Sequence, residues 1–212
     1  RCNVTNACDT EELFRNVVHN AKFLYSSFYT FTNTDVMDLI EKHGCPLKTE
    51  RGGRVFPISD KSSDVIHALT VALRELGVEV ELHEEVSGVL AEDGHVSGVR
   101  LKRGQKVVFA DAVIVTTGGL SYPSTGSTGD GYRFAKELGH TITDLSPALV
   151  PFVAKEDVCK ELQGLSLRNI SVQIRNGKKV LYEEFGEMLF THFGVSGPVL
   201  LSASSYVAST LK

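Results

Sequence analysis

Between Asp111 and His140 the chain reads DAVIVTTGGLSYPSTGSTGDGYRFAKELGH, and its hydrophobic pattern changes character along the way. Ala112 to Val115 is a continuous apolar, β-branched run, which predicts a buried strand. Gly118 and Gly119 predict a turn and Ser121 to Thr128 a loop. A helix then opens near Gly129-Asp130 and stops at Gly139. A strand tip, a glycine-rich turn and a helix N-terminus present backbone N–H groups to an anion, and the helix dipole adds to the attraction. Thr128, Gly129 and Asp130, at the helix start, are therefore candidates to hold a nucleotide or another phosphate-bearing cofactor.

Upstream, Asp9-Thr10-Glu11-Glu12 starts a helix whose spacing continues through Leu13, Phe14, Val17 and Val18. A second helix holds Phe23, Leu24, Phe28 and Phe31, an aromatic stripe expected to face a core. Thr34-Asp35 caps a helix from Val36 to His43, stopped by Gly44 and Pro46. Leu47 to Pro57 predicts a hairpin turning at Gly52-Gly53. Arg51 and Arg54 flank that turn, either as solvated charges or as a cationic rim over an anionic substrate or cofactor. Ser62-Ser63-Asp64 begins an amphipathic helix through Ile66, Leu69, Leu73 and Leu76, with Gly77 as its stop.

Val78 to Leu82 then predicts a strand. Val86–Ala91, Val96–Lys102 and Lys106–Phe109 predict an antiparallel meander, with turns at Asp93-Gly94 and Arg103-Gly104. Thr141–Thr143 reads as a short strand, and Pro147 and Pro151 bracket a linker. Beyond it, Ser171–Arg175 and Lys179–Tyr182 flank an Asn176-Gly177 hairpin turn. Phe190 to Ser204 is a glycine-containing loop running into a helix, with Pro198 in its first turn.

The fold class expected from this order is α/β with an antiparallel β-meander in place of a crossover helix, a domain boundary near Pro147–Pro151 and an incomplete β-rich piece beyond it. Arg1 opens the chain without a methionine and Lys212 closes it with no capping element, so an internal piece of a longer protein is expected.

Composition adds exclusions. A net charge of −4 gives no basic footprint, so nucleic acid is not an expected partner. No apolar run approaches the ~20 residues of a membrane span. The cysteines Cys2, Cys8, Cys45 and Cys159 form no CxxC pair, which fits reduced thiols and a cytoplasmic location. Cys2 reads as a small buried residue rather than a redox thiol. No paired carboxylates, Ser/His/Asp order or metal-ligand spacing identifies a catalytic group. The candidates are Arg54, Tyr122 and His192, the last beside a glycine-containing turn where it reaches substrate or caps the loop. The polar start RCNVTNA is either a capping turn or a loop touching a cofactor.

Four segments occur in one order: RCNVTN at the N-terminus, GRVFP at Gly53–Pro57, TTGGLSYPSTGSTGDGY at Thr116–Tyr132 and THFGVSGP at Thr191–Pro198. Together they resemble the flavoprotein family that includes aminoacetone oxidase and a bile-acid enone reductase, the BaiN-like proteins. The resemblance implies a partial FAD-binding Rossmann-like domain, residues 1–148, with part of an inserted β-rich, barrel-like substrate domain, residues 149–212. It also implies an internal piece lacking the family's N-terminal GxGxxG unit and its C-terminal FAD-contacting segment. By motif match, Arg1, Cys2, Asn3, Thr5 and Asn6 would lie along the flavin and pyrophosphate, and Val86 at the adenine. Thr117, Gly118 and Gly119 would pack near the dinucleotide. The implied activity is FAD-dependent oxidation or reduction of a small organic substrate, with NADH or NADPH as a possible donor. Two alternatives stand beside it. One is a flavin-dependent RNA-modifying enzyme. The other is a non-catalytic nucleotide- or phosphate-binding module built on Gly126–Gly131, which is not a Walker A loop because no GK[ST] closes it.

Overall fold

A computed structural model describes residues 2–208 and 210, so the expected cofactor contact Arg1 lies outside the described residues. The chain divides into two compact units, Arg1–Val78 with Ser146–Lys212, and Glu79–Leu145.

The first unit opens with a short strand, β1 (Thr5–Asn6), followed by helix α1 (Thr10–Arg15). Asp9 caps α1 by accepting from the Glu12 amide. Asn16 ends the helix, so Val17 and Val18 lie beyond it rather than within it. A 3-10 turn at Ala21–Leu24 leads into α2 (Tyr25–Thr30), and Phe14, Tyr25, Phe28 and Tyr29 cluster with ring centroids 4.7–5.8 Å apart. The stripe is only partly core-facing, since Phe23, Tyr25, Tyr29 and Phe31 are exposed.

Helix α3 (Asn33–Lys42) starts earlier than expected, because Thr32 rather than Thr34-Asp35 is its cap. Thr32 and Asp35 form a reciprocal capping box, each satisfying a backbone N–H of the other. Strands β2 (Leu47–Thr49) and β3 (Arg54–Pro57) pair as the predicted hairpin, with a 3-10 turn at Arg51–Gly53. β3 also pairs with β1, giving the sheet order β1-β3-β2. Helix α4 (Ser62–Glu75) follows, ended by Gly77 at φ +68°. Ile40, Cys45, Val65 and Ala68 form a buried core, with Cys2, Val4, Val36 and Leu47 packed against it. Cys2 is thus a partly buried packing residue.

The second unit holds the meander as predicted: β4 (Val86–Glu92), β5 (His95–Leu101) and β6 (Val107–Phe109), antiparallel in that order. Asp93 and Gly94 form the first turn with both φ values positive, as a two-residue hairpin loop requires. Helix α5 (Asp130–Glu137) follows the glycine-rich loop. The expected strand at Ala112–Val115 joins no ladder, and Ile114 is 87% exposed. The expected strand at Val78–Leu82 is likewise absent, with Leu82 71% exposed, and Thr141–Thr143 forms none. Apolar alternation marks a segment able to pair; a strand also needs a neighbour, and among the described residues none meets these three.

Back in the first unit, β7 (Phe152–Val153) and the short helix α6 (Val158–Glu161) precede a long hairpin, β8 (Ser166–Asn176) and β9 (Lys179–Thr191). Asn176 pairs with Lys179, so the two loop residues are Gly177 and Lys178, one position later than the Asn-Gly step implied. Strand β10 (Gly194–Ser196) completes the sheet order β7-β10-β9-β8. Helix α7 (Pro198–Val207) begins with Pro198 and buries Val199, Leu200, Ala203 and Val207. A Cβ on Gly186 of β9 would stand 2.5 Å from Val199, so glycine there permits the close approach of helix and strand.

Candidate functional site

In the second unit, the segment around Thr117–Leu120 and the start of α5 meet closely. A Cβ on Gly131 would lie 2.7 Å from Thr117 Oγ1, and one on Gly129 2.7 Å from Leu120 Cδ2. Gly118 turns the chain at φ +73°, with Ser127 Oγ 3.0 Å from where its Cβ would be. The predicted glycine turn and helix start therefore come together here, without the strand expected before them. Its helix end carries a carboxylate: Thr128 Oγ1 donates to Asp130 at 2.6 Å and Arg133 Nη2 donates at 3.0 Å. These two partners hold the Asp130 carboxyl below its ordinary range, so it is ionised. Arg133 also donates to the Ser87 carbonyl (2.7 Å) and to Glu137 (3.1 Å), tying α5 to β4.

A phosphate at this helix start would face the Asp130 charge. A hydroxyl-bearing group in the same place would not be repelled, because the carboxylate can accept its hydrogen bonds. The junction thus fits the ribityl or ribose part of a dinucleotide better than its pyrophosphate. Val86 and Thr117 come together on an apolar cavity of 250 Å³, with Val113, Ile114, Val115 and Phe134 on its wall. Tyr122, at φ +55° and 79% exposed, lies on neither this cavity nor the others described here.

In the first unit, the polar N-terminal segment is pinned to the β2–β3 turn. Asn6 Nδ2 donates to the Gly52 carbonyl (2.8 Å), and its Oδ1 accepts from the Cys8 amide (3.0 Å). Oriented to suit its neighbours, the Asn3 amide donates to the carbonyls of Thr5 (2.9 Å) and Val55 (3.2 Å). Thr5 pairs with Val55 across the ladder. Buried Asn33 donates to the carbonyls of Asn6 (2.6 Å) and Cys8 (2.8 Å), holding the loop from beneath.

Two cavities adjoin this segment. The larger, of 610 Å³, is lined by Asn3, Asn6, Cys8, Glu12, Ser202 and Tyr206 among others. The smaller, of 440 Å³, is lined by Asn6, Arg51, Arg54, Glu184, Glu187 and Ser202 among others. Burial pushes the Cys8 thiol up, so it is a neutral thiol rather than a nucleophilic thiolate. Burial also raises the Tyr182 phenol, with the Glu184 carboxylate that accepts its hydroxyl adding to the effect. Tyr182 is therefore a persistent donor, its ring 5.1 Å from that of Tyr206.

Of the three catalytic candidates, Arg54 stands at one of the cavities described here, and Tyr122 and His192 line none of them. His192 is exposed beyond β9, edge-on to Phe193 at 4.8 Å. The residues that sequence reasoning missed sit on α7. Ser202, Ser205 and Tyr206 follow i, i+3, i+4 spacing, a hydroxyl-bearing stripe legible once the helix start at Pro198 is fixed. No helix of the described residues is long and apolar enough to cross a membrane.

These features define an α/β chain with glycine-walled junctions and polar cavities. The chain belongs to the family described as HI0933-like protein Rossmann domain, which matches residues 1–205. It is 30% identical over 206 residues to the ribosomal RNA dihydrouridine synthase of Escherichia coli, covering 97% of this chain and 50% of that protein. It is also 30% identical to the 3-dehydro-bile acid delta(4,6)-reductase of Clostridium scindens, over 100% of this chain and 50% of that protein. The ribosomal RNA dihydrouridine synthase of Haemophilus influenzae is 29% identical, with 97% and 50% covered. The chain thus spans about half the length of the curated relatives it matches. The open form of a flavocytochrome c3 fumarate reductase superposes with a TM-score of 0.52 at 20% identity, covering 76% of this chain and 36% of that one, a likeness of fold. The family resemblance read from the four sequence segments is borne out.

Proposed function

We propose that the full-length protein is an FAD-dependent oxidoreductase, taking electrons from NADH or NADPH to reduce a carbon–carbon double bond conjugated to a carbonyl in a small organic molecule. The observation that carries the reading is the junction in which Gly131 lets α5 meet Thr117 beside the Asp130 carboxylate, in a chain of a Rossmann-domain family. FAD, when bound, supplies the hydride chemistry. The chain's own residues orient and exclude. Thr117, Gly118 and Gly119 border the dinucleotide, Asp130 accepts from its hydroxyls, and Val86 contributes apolar wall. Residues 1–148 are assigned to the cofactor domain and 149–212 to an inserted β-rich substrate domain on the family resemblance and because β7–β10 all fall after Pro151, although by packing Ser146–Lys212 form one compact unit with Arg1–Val78.

The reductase direction is supported by the relatives' names. A delta(4,6)-reductase of a 3-dehydro-bile acid and a dihydrouridine synthase each add hydrogen across a C=C bond conjugated to a carbonyl. The second name also supports a second reading, in which the substrate is a uridine in ribosomal RNA; the net charge of −4 weighs against it. Both named substrates are anions, through a carboxylate or through phosphodiesters.

The test is anaerobic. Full-length holoprotein is bleached with NADH or NADPH, then mixed with a 3-oxo-Δ4 bile acid or with a uridine-containing ribosomal RNA fragment. Recovery of the oxidised flavin spectrum with the bile acid is expected. Recovery with RNA alone replaces the small-molecule reading by the second one. Recovery with neither, but with oxygen, contradicts the reductase assignment.

A further inference from the structure

We propose that the 440 Å³ cavity is an oxyanion subsite in which Arg51 and Arg54 hold the carboxylate or phosphate of the substrate. The inference rests on the reductase reading above and adds what the substrate must carry. Arg51 opens the three-residue turn after β2, and Arg54 opens β3, so one tight turn displays both guanidiniums. Arg54 Nε donates to the Arg51 carbonyl (3.2 Å), and its guanidinium lies over the Phe56 ring at 5.9 Å. Those contacts fix the side chain through one N–H and one face, leaving the terminal N–H groups to form a fork.

Both arginines are exposed on the cavity wall, and among the described residues no carboxylate lies within ion-pair distance of either. Two acids share the cavity without reaching them: Glu184, whose carboxylate accepts the Tyr182 hydroxyl, and Glu187 on β9. Two like charges held by one turn with no carboxylate in ion-pair contact repel each other, and an oxyanion between them relieves that repulsion while taking paired N–H···O bonds, with Glu184 and Glu187 confining it to the arginine side of the cavity. Asn6, Gly52 and Ser202 line this cavity and the 610 Å³ one alike. A ligand anchored at the arginines therefore reaches past Asn6 into the larger space, which suits an elongated anion with its reacting end distant from its charge.

The experiment measures binding, by calorimetry on full-length holoprotein, to matched probes that differ in charge. One pair is a 3-oxo-Δ4 bile acid and its methyl ester; the other is uridine 5′-monophosphate and uridine. The expected result is at least about a tenfold preference for the charged member of one pair, lost in Arg51→Gln and Arg54→Gln, as for charge-assisted hydrogen bonds removed singly. The pair that shows the preference distinguishes a carboxylate from a phosphate. Equal binding within both pairs, or no binding of any probe, overturns the proposal, as does a preference that survives both substitutions. The visible spectrum separates the two levels of the argument. A colourless protein defeats the flavin reading, whereas a yellow protein without charge preference defeats only the subsite.

Discussion

Gly118 shows how a single residue joins backbone conformation to the site. Its φ of +73° lies in the left-handed region, and an added side chain would begin 3.0 Å from Ser127 Oγ. Gly118→Val is expected to lower full-length stability by about 1–3 kcal/mol, from a β-branched residue forced to positive φ, and to lower flavin content with it. Chemical denaturation and the flavin-to-protein absorbance ratio report the two effects; an unchanged ratio argues against this turn as a cofactor contact. Asp130 illustrates what residue types alone leave undecided. The motif around it reads as a phosphate cradle. Only its hydrogen bonds to Thr128 and Arg133 show that the helix start already faces a negative charge.

At the scale of elements, legibility followed the range of the interactions that decide each one. The β2–β3 hairpin, the meander, α4 and the Pro198 helix start are set by turn chemistry and local periodicity, and they appear where the sequence predicts them. Ala112–Val115 and Val78–Leu82 have strand composition, but pairing is non-local and their edges carry no ladder among the described residues. The placement of Arg51 and Arg54 is legible because both residues flank one turn, and the α7 hydroxyl face follows from helical spacing once Pro198 starts the helix, whereas the Asn33 anchor depends on packing that no spacing rule reports. The α3 cap lends itself to a pH test. Asp35 accepts from the Thr32 backbone amide and, secondarily, from the Thr32 hydroxyl, and both lower its carboxyl in the folded state. Its stabilisation is therefore fully present above the unfolded value of about 3.9 and is lost as pH falls through the lower folded value. Thermal melts of wild type and Asp35→Asn should differ near neutrality and converge in that acid window; a constant gap would assign the effect to something other than this titration.

For the whole molecule, the candidate residues divide between the two compact units. Thr117–Gly119, Asp130 and Val86 lie in Glu79–Leu145. Cys2–Asn6, the two arginines and the α7 hydroxyls lie in the other unit. Cofactor binding is the claim on which the enzyme reading, the reductase direction and the oxyanion subsite all depend. The most direct measurement is the visible absorbance spectrum of the purified full-length protein, taken before and after incubation with FAD and beside the isolated 212-residue chain. Oxidised-flavin bands in the full-length protein, bleached by NADH or NADPH, are the expected result. A full-length protein that stays colourless even after FAD is added would contradict the account, leaving a non-catalytic nucleotide-binding module as the better description.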